Sequence, residues 1–298
     1  MMESSSTDHL ETFNSASSEP SAMKLSLDPF DKLVEGLDHH PFTSIRSLRK
    51  RLEDRRLALE TDKTRNHFLV FTNVPEHEVA RLDNGSSRAS KFARLSYNTV
   101  TQILIVKVMP RPEHDIASRE FGYCIYDEVS AMNLRNEIDS LGSTTVQIGN
   151  WKKQADECWA PSQQATQLSA ILEIGLSELA QRLAADARGW LETTGSTIEV
   201  AITMKVDRNN PQITIRLWER GPRLSLIVTR QSPTTAHCID QIEITRTNNT
   251  TIVTGDLTLP FRKVVGRVPN NPLENDFLIP RQKLQQVAEK VWRKQGFI

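Results

Sequence analysis

The sequence predicts a mixed α/β protein of the α+β type, with a mixed central sheet flanked by helices. Three observations support this class. Residues 93–108 contain two apolar runs joined by a turn, which is typical of a β-hairpin. An apolar strand candidate at 168–174 leads directly into an amphipathic helix at 177–194. Residues 198–206 then alternate between apolar and polar, and this strand, helix and strand order implies a right-handed crossover.

The N-terminal part of the chain predicts a tail, a helix and a strand. Residues 1–28 are rich in Ser, Thr and acidic residues, which is typical of a disordered tail. A helix is predicted over 43–64 with Ser44 as its cap, and a short strand over 67–74. The basic residues on the polar face of this helix are Arg46, Arg49, Lys50, Arg51, Arg55 and Arg56. They indicate a surface that contacts phosphates or serves nuclear import. The alternative is a solvated face whose charge is partly balanced by acidic residues.

Next comes the hairpin, with strands at 93–97 and 103–108, and then a helix. Pro110 and Pro112 break the second strand and open this helix, which is predicted to run to about Ile138. Its first turn carries the titratable residues Glu113, His114 and Asp115. Taken alone, His114 is more typical of a surface residue at a helix start than of a ligand.

The middle of the chain predicts a strand at 143–148 and a loop that contains Lys152 and Lys153. The helix at 177–194 has the clearest pattern, because one continuous face is apolar: Leu179, Ala180, Leu183, Ala184, Ala187, Trp190 and Leu191. Ser177 is expected to cap its start, and Gly195 to take the left-handed conformation past its end.

A second stripe of the same helix consists of Arg182, Asp186 and Gly189. The spacing of Arg182 and Asp186 fits an i, i+4 ion pair, and Arg182 also has the reach to contact a phosphate. The rest of the chain predicts further strands and a final helix: strands at 213–218, 224–229, 239–244 and 251–254, and a helix at 281–294.

Composition restricts the class of protein. The chain has 298 residues with 37 basic and 37 acidic ones, so its surface as a whole is not built for nucleic acid, although a local basic face is compatible. Three widely spaced cysteines show neither a disulfide framework nor metal-ligand spacing. No secretory signal and no membrane span are expected. These features favour an intracellular protein, cytoplasmic or nuclear.

Glu173 is the residue that most needs an explanation. It interrupts the apolar run Ala170–Gly175, and a buried carboxylate is costly unless something pairs with it or binds it. Together with Asp156, it provides the kind of oxygen ligands that Mg²⁺ prefers. Such a metal activates water and stabilises charge on a phosphodiester. A solvated strand edge or a simple ion pair is the alternative interpretation.

Several short blocks resemble the PD-(D/E)XK nuclease superfamily. The branch is the Uma2-like restriction-endonuclease domains, as found in a large group of uncharacterised fungal proteins. The blocks are Gly142–Val146, Ala155–Pro161, Leu172–Ser177, Asp186–Leu191 and Ile213–Glu219. The resemblance is strongest over 156–219 and extends more weakly from about Leu95 to Trp292. It implies a restriction-endonuclease-like domain at 93–298, preceded by a helical extension with a loop at 29–92 and the tail at 1–28.

The resemblance also implies an activity and a site. It implies a metal-dependent nuclease that cleaves DNA, with Asp156 and Glu173 holding Mg²⁺ or Mn²⁺. Arg182 would stabilise the developing charge. The further expected site residues are Glu113, His114 and Arg188, of which His114 matches a helix-start histidine of the family. The expected contacts to DNA phosphates are Lys152 and Lys153. A homodimer is compatible with the family.

Four departures from the family pattern favour an alternative. Ala155 stands where a proline usually precedes the aspartate, and Ser118 stands at a further family position. Gly175 stands where the superfamily has its lysine, and Asp186 stands at the position of the helix lysine of Uma2-like members. Arginine does not act as a general base at neutral pH, so Arg182 does not replace that lysine. The alternative is a non-catalytic nuclease-fold protein that binds nucleic acid or protein.

Overall fold

The computed structural model of the chain describes residues 30–64, 66–83, 92–109, 112–164, 167–176, 178–222 and 234–298. The predicted tail at 1–28, the predicted cap Ser177 and the predicted strand at 224–229 lie outside these residues. Within these ranges, no helix is long and apolar enough to cross a membrane.

The described elements are α-helices and β-strands, with several strands in succession between some of the helices. The helices are α1 (Asp31–Val34), α2 (Ile45–Glu60), α3 (Glu76–Asp83), α4 (Pro112–Ala131), α5 (Ala180–Glu192), α6 (Phe261–Val265) and α7 (Arg281–Gln295). The strands of the first half are β1 (His39–Pro41), β2 (Phe68–Thr72), β3 (Ala93–Asn98), β4 (Ile103–Val108), β5 (Ile138–Ser140), β6 (Thr145–Ile148), β7 (Trp151–Gln154) and β8 (Glu157–Pro161). Those of the second half are β9 (Ala170–Leu176), β10 (Val200–Val206), β11 (Gln212–Pro222), β12 (Thr234–Thr247), β13 (Thr250–Val253), β14 (Leu257–Leu259) and β15 (Phe277–Ile279).

One sheet has six strands in the order β1-β2-β4-β3-β7-β6. The predicted hairpin is confirmed, because β3 and β4 pair antiparallel. β2 pairs with β4 and β7 with β3, so one sheet joins residues on both sides of the predicted boundary between 92 and 93. The prediction of a loop at Lys152 and Lys153 was wrong, since both lie in β7, where Trp151 and Lys153 turn to the buried face.

The second sheet has seven strands in the order β13-β12-β11-β10-β9-β8-β5. β9 and β10 are parallel and α5 connects them, as the strand, helix and strand pattern predicts. The pairs β8–β9, β10–β11 and β11–β12 are antiparallel, so the sheet is mixed. The predicted mixed α/β class, with a mixed sheet flanked by helices, is therefore confirmed.

One face of the seven-stranded sheet is covered by α4 and α7. The inward residues of β9 on this face are Ala170, Leu172, Ile174 and Leu176, and they join one large apolar core with Phe121 of α4 and Trp292 of α7. The prediction that α4 extends to Ile138 was wrong. The helix ends at Ala131 because Asn133 takes a left-handed backbone conformation, φ 58°, and Ile138 starts β5.

The opposite face of the sheet packs against α5, whose apolar residues meet Ile171 of β9 and Ala201 of β10. Because side chains alternate along a strand, Glu173 points to this same face as Ile171. β9 is buried over its whole length, so both faces of this strand are covered.

The second stripe of α5 faces the six-stranded sheet. Arg182 lies over the ring of Phe68, 5.3 Å from its centroid, and Asp186 binds Lys153. A β-carbon at Gly189 would lie 2.1 Å from the Phe30 ring, so only glycine allows this contact. In place of the predicted Arg182–Asp186 pair, Arg182 and Asp186 contact Phe68 and Lys153 of the six-stranded sheet.

Because Phe30 closely approaches Gly189, we expect Gly189→Ala to change the stability in opposite directions with and without the Phe30 ring. Gly189→Ala should destabilise the parent protein by about 1–3 kcal/mol, because a well-packed contact is overfilled. In a Phe30→Ala background the same substitution should stabilise the protein by up to about 1 kcal/mol, since alanine favours a helix over glycine. Urea denaturation of the four proteins measures both effects, and an equal effect in the two backgrounds would contradict the contact.

Candidate functional site

Glu173 is buried because two basic side chains and an indole meet its carboxylate. Trp190 of α5 donates its Nε1–H to Oε1 at 2.7 Å. The Lys153 ammonium lies 3.5 Å from Oε1, and the Lys107 ammonium lies 3.4 Å from Oε2. The acid that interrupts β9 is therefore paired inside the protein.

Asp156 lies between β7 and β8, and its carboxylate also faces the Lys107 ammonium. Its Oδ2 accepts a hydrogen bond from the backbone N–H of Ile174 at 2.8 Å and lies 3.5 Å from the Lys107 nitrogen. The His114 Nε2 is 3.0 Å from Oδ2, and the Arg94 Nε is 3.5 Å from Oδ1. The structure thus brings Asp156, Glu173 and His114 together, with Lys107 between the two acids.

The six-stranded sheet supplies the cations. Arg94 of β3, Lys107 of β4 and Lys153 of β7 share one face of the sheet, and Arg94 is the direct cross-strand partner of Lys107. Like charges opposite each other destabilise a sheet unless acids compensate them. The acids lie in the seven-stranded sheet, in the segments that border it and in α5, so this charge pairing joins the two layers.

Glu178 and Asp186 complete the cluster. The Lys107 nitrogen is 3.7 Å from Oε2 of Glu178, and the Lys153 nitrogen is 2.7 Å from Oδ1 of Asp186. Four carboxylates then face the three permanent cations of Arg94, Lys107 and Lys153. One further proton makes the group, which we call the ion cluster, electrically neutral.

The two lysines of the cluster stay protonated. Burial opposes the charged form of Lys107, but the facing carboxylates, Asp156 first, raise its pKa well above the usual range. Burial likewise opposes the charge on Lys153, and Asp186 and Glu173 raise the pKa of its ammonium. Neither lysine is therefore available as a general base near neutral pH.

The acids and His114 divide the remaining proton between them. Burial, helped by Asp186, raises the pKa of Glu173 to about 7, and burial raises the pKa of Glu178 to about 7 against the effect of Lys107. Burial opposes the charged forms of both Asp156 and His114, but their mutual attraction lowers the pKa of Asp156 far below its usual range and raises that of His114.

The residues present do not fit a divalent metal in this arrangement. Lys107 is within 3.5 Å of Asp156 and of Glu173, where a metal bound by both acids would lie. The adjoining cavity measures about 10 Å³, which is about enough for one water molecule. Among the residues that the structure describes, no group of three or more His, Cys, Asp and Glu side chains is arranged to hold a metal.

The other predicted site residues lie apart from the acid pair or have other partners. The side chain of Lys153 is buried and does not face solvent, so it does not fit a contact with DNA. Lys152 is on the opposite face of β7 and pairs with Glu76. Arg182 covers Phe68 and Arg188 is exposed on α5.

Glu113 and Ser118 lie on α4 beside His114. Glu113 is half-buried, and its Oε2 is buried without a hydrogen-bond partner. Ser118, at a family position, donates to the backbone carbonyl of Asp156 at 3.4 Å.

Sequence reasoning missed Lys107, which lies at the centre of the site. The signal was present, because Lys107 interrupts the apolar strand Ile103–Val108 just as Glu173 interrupts β9. The structure also explains why Gly175 is not a lysine. A β-carbon there would lie 2.8 Å from Glu178 Cβ and 2.8 Å from Leu183 Cδ1, so α5 packs too closely for any side chain.

Comparisons with known proteins found a likeness among solved structures. No protein-family model matches the chain, and no curated protein matches it. Among solved structures it is similar to a protein from Anabaena variabilis described as "a putative nuclease belonging to DUF820". The TM-score is 0.35 at 11% sequence identity, over 65% of this chain and 90% of that one.

The ion cluster predicts a stability that falls as the pH rises through neutrality. Glu173 and Glu178 have pKa values near 7 when folded and near 4.5 when unfolded, and the pKa of His114 is also raised by folding. The folded state therefore binds more protons between about pH 4.5 and 7, and the stabilisation is lost as the pH rises. Asp156 acts in the opposite direction, at strongly acidic pH.

We expect the free energy of unfolding to drop by roughly 2–3 kcal/mol between pH 5.5 and 8 if one proton is involved. Urea titrations across this range measure the drop. Glu178→Gln should reduce it, whereas Asp54→Asn, at an exposed position of α2, should leave it unchanged. A stability that is flat or rises over this range would contradict the account.

Proposed function

We propose that this chain is a non-catalytic nuclease-fold protein that binds DNA without cutting it. The observation that carries the proposal is the state of the acid pair: Asp156 and Glu173 are 3% and 1% exposed and share the Lys107 ammonium. Metal-dependent hydrolysis requires the opposite arrangement, in which the two acids hold a metal that water and a phosphodiester can reach.

The covering of the two acids also supports a protein that does not cut DNA. The six-stranded sheet covers them, and Phe30 fixes this cover by packing on Gly189 of α5 and on the ring of Trp151 at 4.9 Å. A phosphodiester is far larger than the cavity of about 10 Å³ beside the cluster. The cover would have to leave α5 before a DNA strand reached Glu173.

The basic half of α2 supports DNA as the partner. Arg46, Arg49 and Lys50 are exposed in its first turns, and the first turn contains no acid. Cations near a helix N-terminus are unfavourable because the helix dipole is positive there. Within the described residues, no interaction compensates this unfavourable placement of the three cations, whereas contacts with a phosphate backbone would compensate it. The predicted homodimer and the cytoplasmic or nuclear location stay predictions.

A metal-dependent nuclease is the second candidate, and one observation favours it. The Lys107 ammonium, 3.4 Å from Glu173 and 3.5 Å from Asp156, is the lysine that position 175 does not provide. A nuclease of this kind would work only after the six-stranded sheet had moved and Mg²⁺ or Mn²⁺ had entered.

A paired cleavage assay separates the two candidates. The protein and its Glu173→Gln variant, both shown to be folded by circular dichroism, are incubated with duplex, single-stranded and branched DNA in Mg²⁺ and in Mn²⁺. We expect no metal-dependent cutting by the parent. Cutting by the parent that disappears in the variant would contradict the proposal and establish the second candidate.

DNA binding is tested by fluorescence anisotropy with a short duplex at several salt concentrations. We expect the triple variant Arg46→Ser, Arg49→Ser, Lys50→Ser to bind at least about tenfold more weakly, with a salt dependence reduced by two to three counterions. The matched control changes the exposed residues Arg262, Arg293 and Lys294 to serine and should bind like the parent. Equal losses in both variants would exclude α2 as the DNA-binding surface.

A further inference from the structure

We infer that the Lys107 ammonium takes the place of a divalent metal ion, so that removing it in a charge-balanced way creates a metal site. The inference rests on the proposal that the acid pair is not a metal centre in this protein. It explains why the acid pair is not a metal centre: the chain itself supplies the cation, Lys107, that lies between the two acids.

The Lys107 ammonium is surrounded by carboxylates. Its nitrogen lies 3.4, 3.5 and 3.7 Å from carboxylate oxygens of Glu173, Asp156 and Glu178, respectively. These distances are nearly equal and all exceed the usual length of an N–H···O hydrogen bond. The ammonium therefore lies among three carboxylates: it donates a long hydrogen bond to Glu173 Oε2, and its charge also faces Asp156 and Glu178.

The three acids come from different segments of the chain. Asp156 precedes β8, Glu173 is in β9, and Glu178 lies between β9 and α5. Asp156 is tied to β9 by the hydrogen bond from its N–H to the Leu172 carbonyl, so all three acids are held beside β9, whereas Lys107 comes from the six-stranded sheet. The cation that neutralises the acids is therefore supplied by a different sheet.

A metal ion and the Lys107 ammonium exclude each other at this position. Lys107 is 6% exposed and fills the space between the acids. Binding of Mg²⁺ requires metal–oxygen distances of about 2.0–2.1 Å, which two acids already holding an ammonium do not provide. Strong charge repulsion would add to the steric conflict.

The test replaces the cation without leaving an unpaired charge. In Lys107→Met with Glu178→Gln, one positive and one negative charge are removed together, while Asp156, Glu173 and the amide oxygen of residue 178 remain as ligands. The matched control is Lys153→Met with Asp186→Asn, which removes the neighbouring pair at 2.7 Å but leaves Lys107 in place. Both variants are made in the full-length chain.

The readouts are thermal unfolding with increasing Mn²⁺ and the electron paramagnetic resonance signal of bound Mn²⁺. We expect the Lys107 double variant to bind one Mn²⁺ ion, with a rise in Tm of about 5 °C at a hundredfold excess over Kd. The parent and the matched control should show no rise, and adding Glu173→Gln to the double variant should abolish it. If the double variant does not fold alone, we expect it to refold only with Mn²⁺.

Two results would overturn the inference. One is that the Lys107 double variant neither binds Mn²⁺ nor is refolded by it. If the parent also cuts no DNA, this result overturns the inference but leaves the proposed function standing. The other is binding of Mn²⁺ by the parent at a site that Glu173→Gln removes. Failure of the proposed function itself appears separately, as DNA cleavage by the parent.

Discussion

Four carboxylates share one buried space only when cations accompany them, and here the six-stranded sheet supplies those cations. Lys107 lies between Asp156 and Glu173, and Lys153 binds Asp186. Removing one member of such a buried group typically costs about 3–5 kcal/mol, because the opposite charge is left unpaired. The position of the six-stranded sheet, the closure of the acid pair and the chemistry available to it all depend on this pairing.

Apolar contacts alone would not specify how the two layers meet. Phe30 on Gly189 and Arg182 over Phe68 hold the same interface at positions on either side of Asp186. The charges fix the register between layers, because a cation displaced by one strand position would face the wrong side of its sheet. The acid pair is thus part of the interface between the two sheets.

The sequence predicted the main elements of the fold because their signals are local. The hairpin at 93–108, the helix α5 and the parallel pair β9–β10 follow from periodicity and from the crossover rule. The helix end at Asn133 was missed, since a left-handed asparagine leaves little trace in a single sequence. Lys153 was placed in a loop because two adjacent lysines look solvated, although strand alternation buries one of them.

The site was only half predictable for a related reason. Asp156 and Glu173 were identified as a pair, but their partner Lys107 is 66 residues from Glu173, and no local pattern links the two strands. The reason for Gly175 was equally hidden, because it depends on how closely Glu178 and Leu183 pack above it. Long-range charge pairing is the property that a single sequence reveals least.

The most direct test of the central claim is anomalous diffraction at the manganese edge from crystals of the unmodified protein soaked in Mn²⁺. The account predicts electron density for the Lys107 side chain between Asp156 and Glu173, with no anomalous peak there. An anomalous peak bound by both carboxylates, with Lys107 displaced, would contradict it and show that the acid pair is a metal site after all.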